Sequence, residues 1–97
     1  MDRLRVVSGF DEMKVKVRFF ASLKEQFGQD SLEVNSAFSP ATVAGLRTHL
    51  CAQYPDFAKA VSEVGRLRAA VNQDMADDET PVGEQAEVAF FPPVTGG

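Results

Sequence analysis

The sequence predicts a small α+β domain in which a β-sheet packs against one main helix, with a short second helix beside it. Three observations lead to this prediction. A chain of 97 residues has room for one hydrophobic core. Apolar and polar residues alternate near both ends of the chain, as they do in strands, and apolar residues recur at helical spacing in the middle. In chain order the segments are two strands, two helices and two strands.

The first strand is predicted from strict alternation between Lys14 and Phe20. Its inward residues are Val15, Val17 and Phe19, and its outward residues are Lys16, Arg18 and Phe20. A short helical turn is predicted over Ala21–Phe27, because Gly28 suits the position after a helix. Ser31–Val34 then forms a second, short strand.

The main helix is predicted to open at Ser39-Pro40 or at Thr42, since Ser and Thr are good N-caps and proline is tolerated in the first turn. Its apolar stripe consists of Val43, Leu46 and Leu50, extended by Tyr54. Pro55 is predicted to end it, because the residue before a proline is disfavoured in the α region.

A second short helix is predicted over Asp56–Val64, with Asp56 as a possible N-cap and Gly65 after its end. A third strand over Arg68–Asn72 and a turn over Asn72–Asp74 follow. Next come a polar loop, Asp77–Pro81, and a turn, Val82–Gln85. The final strand is Glu87–Phe91, with Val88 and Phe90 on one face and Glu87, Ala89 and Phe91 on the other.

Composition and charge exclude several classes of function. The net charge is −4, which disfavours nucleic acid and predicts a basic protein partner. Cys51 is the only cysteine, so the chain has no internal disulfide. No segment has the pattern of a signal peptide or a membrane span. These features predict a cytoplasmic protein that contacts no membrane.

Residues 1–12 mix charged and apolar residues and end in a glycine-containing turn signal before Met13. We predict that they form an extension outside the fold, that the folded domain spans 13–91, and that 92–97 form a tail. The alternative is that Leu4–Val7 adds an edge strand.

The chain lacks the residues needed to catalyse a reaction alone. Cys51 and His49 are its only thiol and imidazole, but two positions apart on a helix they point away from each other. Asp77, Asp78 and Glu79 lack the ligand spacing and the glycine of a calcium loop, so no metal site is predicted.

The most distinctive segment is the C-terminus, Phe90-Phe91-Pro92-Pro93-Val94-Thr95-Gly96-Gly97. Two prolines prevent further strand pairing and favour an extended chain. Six extended residues reach about 20 Å, far enough to enter a pocket of another protein. The terminal glycines let a partner approach the α-carboxylate closely. A diglycine end is often only an unstructured terminus, but the preceding Phe-Phe-Pro-Pro favours a presented tail.

Phe20 and Phe91 are both predicted to face outward. If the first and last strands are neighbours, these rings form an exposed apolar patch at the root of the tail. We predict a partner interface there. The alternative is that the N-terminal extension covers one of the rings.

Several segments resemble the small subunit of molybdopterin synthase. They are Val15–Ala21, Leu46-Arg47-x-x-Leu50, Ala70–Gln73 and, most specifically, Glu87–Gly97, and together they span about residues 13–97. The resemblance implies a ubiquitin-like β-grasp fold, in which the first and last strands are parallel and adjacent in the middle of a mixed sheet.

The resemblance also implies a role as a non-catalytic sulfur carrier. A ubiquitin-activating-like adenylyltransferase would use ATP to adenylate Gly97, and a sulfur donor would convert it to a thiocarboxylate. Pro92, Pro93, Val94, Thr95 and Gly96 would carry this group into the large catalytic subunit of a heterotetramer. There the sulfur would pass to a cyclic pyranopterin precursor in molybdenum cofactor biosynthesis. The small subunit itself would bind no cofactor.

Two other functions remain open. The first is that the chain serves another acceptor, as a carrier for thiazole synthesis or tRNA thiolation, or as a ubiquitin-like protein modifier, because these proteins also end in Gly-Gly. The second is that it is a ubiquitin-like module that binds a partner without any covalent step.

Overall fold

A computed structural model describes residues 14–93, and the structural statements below concern these residues. They form five strands and three helices. In chain order these are β1 (Lys14–Phe19), α1 (Ala21–Phe27), β2 (Ser31–Asn35), α2 (Val43–Gln53), α3 (Pro55–Val64), β3 (Arg68–Val71), β4 (Asp74–Ala76) and β5 (Glu87–Phe91). The α+β class predicted from the sequence is confirmed.

The five strands form one mixed sheet in the order β2-β1-β5-β3-β4. The first and last strands of the chain are adjacent and parallel, with Phe19 in register with Phe90. All other pairs are antiparallel, including β3 with β5, where Arg68 lies opposite Phe91. This is the ubiquitin-like β-grasp arrangement that the resemblance implies, and it places β5 in the centre of the sheet.

The helices cover one face of the sheet, and the core lies between them. Alternation decides which residues enter it: the even positions of β1 are exposed, whereas Val15, Val17 and Phe19 are buried. The ring of Phe57 in α3 lies 5.5 Å from that of Phe19 and 6.0 Å from that of Phe90. Phe27 lies 5.4 Å from Phe57, so a cluster of four phenylalanines joins α1, α3 and the two central strands.

The second short helix begins one residue earlier than the sequence predicts. It starts at Pro55, and Tyr54, which provides no side-chain cap, is its N-cap residue. The prediction that Asp56 is the N-cap is therefore wrong. Proline suits the first helical position because its fixed φ is helical and its missing N–H would have no intrahelical acceptor. Asp56 lies in the first turn, where a carboxylate interacts favourably with the helix dipole.

Strand β4 was not predicted from the sequence. Val71 is in register with Asp74, so β3 and β4 are joined by a two-residue turn, Asn72-Gln73. Both turn residues have positive φ, 50° and 75°, as a tight hairpin requires. Asp74 is therefore the first residue of a strand rather than the end of a turn.

Helix α2 is anchored at its N-terminus by the loop that precedes β5. Thr42 is the N-cap residue, which confirms one of the two predicted helix starts. Its side chain accepts a hydrogen bond from Gly45 N–H at 3.2 Å. Val43 N–H donates to Thr80 O and Ala44 N–H donates to Asp78 O, each at 3.0 Å. The first amide groups of the helix, which have no partner within the helix itself, are thus satisfied.

The predicted N-terminal extension, residues 1–12, and Met13 lie outside the described residues. Residues 94–97 of the predicted tail do so as well. The boundaries 1–12, 13–91 and 92–97 therefore stay predictions.

Candidate functional site

The candidate site is the end of β5, where the chain leaves the sheet. β5 lies between β1 and β3 and ends at Phe91. Pro92 and Pro93 follow as half-buried residues without regular secondary structure. Neither proline has an N–H to donate to a neighbouring strand, so pairing stops here. The tail therefore leaves from the middle of a rigid sheet, which fixes the direction in which it starts.

Two rows of side chains surround this exit on the face of the sheet opposite the helices, which we call the outer face. In the first row Arg18, Ala89, Ala70 and Met75 lie side by side on β1, β5, β3 and β4. In the second row Phe91 lies opposite Arg68. Phe20 continues the register of β1 by one residue on the other side of Phe91, and its N–H donates to Phe90 O at 3.2 Å.

These rows create an exposed apolar patch, formed by Phe20, Phe91, Met75, Ala70 and Ala89. Phe20 is 42% exposed and Met75 is 59% exposed, while Phe91 is half-buried. Ala70 and Ala89, whose side chains are small, lie between the larger side chains. An exposed apolar surface of this kind is typical of a protein interface.

The structure thus places Phe20 and Phe91, the two predicted interface residues, together on the outer face at the root of the tail. It adds Met75, which was not predicted to lie on a strand, because the predicted turn ends at Asp74 and no element is predicted over Met75 and Ala76. A hairpin signal was present in Asn72-Gln73, but it is weaker than the Asn-Gly pair that marks most such turns. Gly97, Gly96, Thr95 and Val94 lie outside the described residues.

Charged side chains border the patch. Arg18 donates to Glu87 with 3.1 Å between Nη1 and Oε2, and its guanidinium carbon lies 5.6 Å from the centre of the Phe20 ring. Arg68 is exposed next to Phe91.

The residues considered for catalysis have structural surroundings instead. Burial raises the pKa of the Cys51 thiol, an effect that nearby Arg47 partly opposes, so the reactive thiolate is disfavoured at neutral pH. His49 Nε2 lies 3.3 Å from Ser36 Oγ, and its ring packs against Phe38. Each residue is thus accounted for by local packing on α2.

The acidic loop is also structural. Asp77 Oδ1 accepts from Glu79 N–H at 3.0 Å and from Thr80 Oγ1 at 3.1 Å, which holds the loop in shape. Asp78 pairs with Arg47 at 2.9 Å, and the hydrogen bond from Arg47 lowers the pKa of the Asp78 carboxyl. Within residues 14–93, no three His, Cys, Asp or Glu side chains are grouped so that they could hold a metal ion. No helix in this range is long and apolar enough to span a membrane.

Comparison with known proteins gives consistent matches over almost the whole chain. The profile of the ThiS family matches residues 17–97. The molybdopterin synthase sulfur carrier subunit of Escherichia coli (strain K12) is 47% identical over 83 residues, which cover 86% of this chain and 99% of that protein.

Two solved structures are similar at lower identity. SAMP1 from Haloferax volcanii is 26% identical with a TM-score of 0.68, over 87% of this chain and 99% of that one. The second comes from a complex of subunits 1 and 2 of the molybdopterin-converting factor of Helicobacter pylori 26695. It is 25% identical with a TM-score of 0.59, over 88% of this chain and all of that one.

Proposed function

The chain belongs to the ThiS family, and on that premise we propose that it is the sulfur carrier subunit of a molybdopterin synthase. The observation that carries the proposal is the Phe-Phe-Pro-Pro-Val-Thr-Gly-Gly terminus, which follows the central strand of a rigid sheet. The 47% identity with a protein of this name supports it.

The working group in this proposal is the α-carboxylate of Gly97. A carboxylate is a poor acyl donor, so an activating enzyme first joins it to the AMP moiety of ATP and releases pyrophosphate. Sulfur at the oxidation level of sulfide then displaces AMP from the acyl group, and the chain ends in a thiocarboxylate; where the donor is a persulfide, a thiol reduces the acyl disulfide that forms first. The activating enzyme supplies the ATP site, and this chain supplies only the acyl group.

The sulfur is then delivered to a second protein. The thiocarboxylate sulfur forms a C–S bond with a cyclic pyranopterin precursor in the large synthase subunit and displaces an oxygen leaving group from that carbon. Water then hydrolyses the resulting thioester, which leaves the sulfur on the precursor and returns the chain as a carboxylate. In this proposal the tail residues inserted into that pocket are Pro92, Pro93, Val94, Thr95 and Gly96. The absence of side chains at Gly96 and Gly97 suits a narrow entrance. The complex of subunits 1 and 2 in a structural neighbour supports a partner of this type.

Phe20 and Phe91 are proposed to contact the partner while the tail is inserted. The apolar patch lies at the point where the tail leaves the sheet, so a protein that receives the tail meets the patch as well. Burial of apolar surface there adds to the stability of the complex. We propose a heterotetramer in the cytoplasm, in which this chain is the non-catalytic subunit.

A second candidate function is a covalent protein modifier or a carrier for another pathway. The observation that favours it is the similarity to SAMP1, a small archaeal modifier protein. Co-purification from cells separates the two functions. A large synthase subunit is expected for the proposed function, whereas a ladder of conjugates or a thiazole synthase would indicate the second.

The proposed function is tested by changing the C-terminus alone. Deletion of Gly97, or addition of one serine after it, removes the reactive carboxylate from its position without touching the folded domain. We expect both variants to abolish molybdenum cofactor formation in cells that lack the natural chain. Gly83→Ala is the control, because a Cβ at this exposed glycine meets no atom within 4 Å. Normal cofactor formation with either altered terminus would contradict the proposal and favour a non-covalent binding module.

A further inference from the structure

The outer face of the sheet has a charge opposite to that of the molecule. Four cationic side chains project from it, Lys14, Lys16, Arg18 and Arg68, against two carboxylates, Glu33 and Glu87, a net charge of +2. Residues 14–93 as a whole contain eight Lys or Arg and eleven Asp or Glu, a net charge of −3. The helices, loops and edges outside the outer face therefore hold four cations and nine carboxylates, a net charge of −5.

The cation nearest the tail is Arg68. It is exposed and lies opposite Phe91, the last residue of β5. Among residues 14–93 it forms no ion pair, whereas Arg18 is partly neutralised by Glu87 at 3.1 Å. No carboxylate among the described residues neutralises Arg68, and the side chain lies beside the apolar ring of Phe91.

The positions of the two arginines define what could bind them. Arg18 and Arg68 lie on strands separated by β5 and are offset by two residues along the sheet. Strand spacing and rise then place their Cα atoms about 12 Å apart. An apolar centre with charged residues at its edge is the usual arrangement of a protein interface.

From this arrangement we propose that the outer face binds an acidic surface on the large synthase subunit, and that Arg68 forms the main ion pair of this contact. This inference rests on the proposed function. A carboxylate of the large subunit pairs with Arg68 beside the tail, and apolar residues cover Phe20, Met75 and Phe91. The net charge of −4, which predicts a basic partner, is thus a poor guide to this contact, because nine of the eleven carboxylates among residues 14–93 lie outside the outer face.

Separated charges also orient the encounter. An acidic partner attracts the outer face and repels the other faces, so the end of β5 is brought to the partner together with the outer face. Charges of this kind act mainly on the association rate and lose their effect as salt is raised.

The test compares two charge reversals of equal size. Arg68→Glu and Lys24→Glu both lower the net charge by two, but Lys24 lies on α1, away from the outer face. Binding to the purified large subunit from the same organism is measured by association kinetics over a series of NaCl concentrations. At low salt we expect Arg68→Glu to weaken binding by about tenfold or more. Lys24→Glu should change it less than about twofold.

The outcomes separate this inference from the proposed function. Equal effects of the two reversals, or tighter binding of Arg68→Glu, would overturn the acidic contact and leave the carrier function standing. No binding of the unmodified chain would overturn both. Arg68→Gln removes the charge without reversing it and should weaken binding less than Arg68→Glu does. If Arg68→Glu does not fold, unchanged binding of Arg68→Gln at low salt would overturn the acidic contact.

Discussion

At the scale of single residues, neighbouring phenylalanines of this chain have opposite environments. Phe19 is 1% exposed, whereas Phe20, the next residue, is 42% exposed. The same alternation separates Phe90, which is fully buried, from half-buried Phe91. Successive side chains of a strand point to opposite faces, so the first of each pair belongs to the core and the second to the outer face.

This difference predicts a separation of stability from binding. Phe19→Ala should lower the free energy of unfolding by about 3–5 kcal/mol, since it removes a ring from a packed core. Phe20→Ala should lower it by less than about 1 kcal/mol, yet weaken binding to the large subunit several-fold. Urea denaturation measures the first quantity and titration with the large subunit the second. If Phe20→Ala bound as tightly as the unchanged protein, the apolar patch would not be an interface.

At the scale of secondary structure, the N-terminus of α2 packs closely against the loop that precedes it. Gly45, in the first turn, is buried beneath the Pro40 carbonyl, and a Cβ at this position would collide with that carbonyl oxygen. Only glycine lets the loop before α2 lie this close to the helix.

Gly45→Ala should therefore destabilise the protein, although alanine is normally the better helix former. We expect a loss of about 1–3 kcal/mol, the usual cost of forcing extra atoms into a packed site. The midpoint of urea unfolding measures it. Gly83→Ala, where a Cβ meets nothing within 4 Å, should change stability by less than about 0.5 kcal/mol. An equally stable Gly45→Ala would show that the Pro40 loop can move away at little cost.

Most elements could be predicted because local signals and tertiary packing agree. The alternation in β1 and β5 and the apolar stripe of α2 each mark a face that the fold buries. β4 was missed because Asp74-Met75-Ala76 is too short to show a period, and its pairing with β3 creates the strand. The start of α3 was misplaced because Asp56 is a good N-cap by type, whereas Pro55 preceding it already fits a helical φ.

The candidate site was less predictable than the fold. Alternation placed Phe20 and Phe91 on the outward face, but Met75 and Arg68 join them only through the order of the strands. Strand order depends on contacts between residues far apart in the chain. Composition gives a single net charge, and it could not show that four of the eight Lys and Arg residues among 14–93 lie on the outer face.

At the scale of the whole molecule, the fold fixes the position at which the C-terminal tail begins. The central strand of the sheet leads directly into the tail, so core packing and the hydrogen bonds of two neighbouring strands fix its root. In the proposed function, the outer face beside this exit is the docking surface, and other proteins perform the chemistry at Gly97.

The central claim is that the α-carboxylate of Gly97 carries sulfur, and intact mass spectrometry tests it most directly. The chain should be isolated with its natural C-terminus from cells that have an active sulfur-loading system. We predict a second species, heavier by the difference between one sulfur and one oxygen atom, with the added mass in the C-terminal fragment. The same species should be absent when Gly97 is deleted. A single unmodified mass under conditions in which the cells make molybdenum cofactor through this chain would contradict the account.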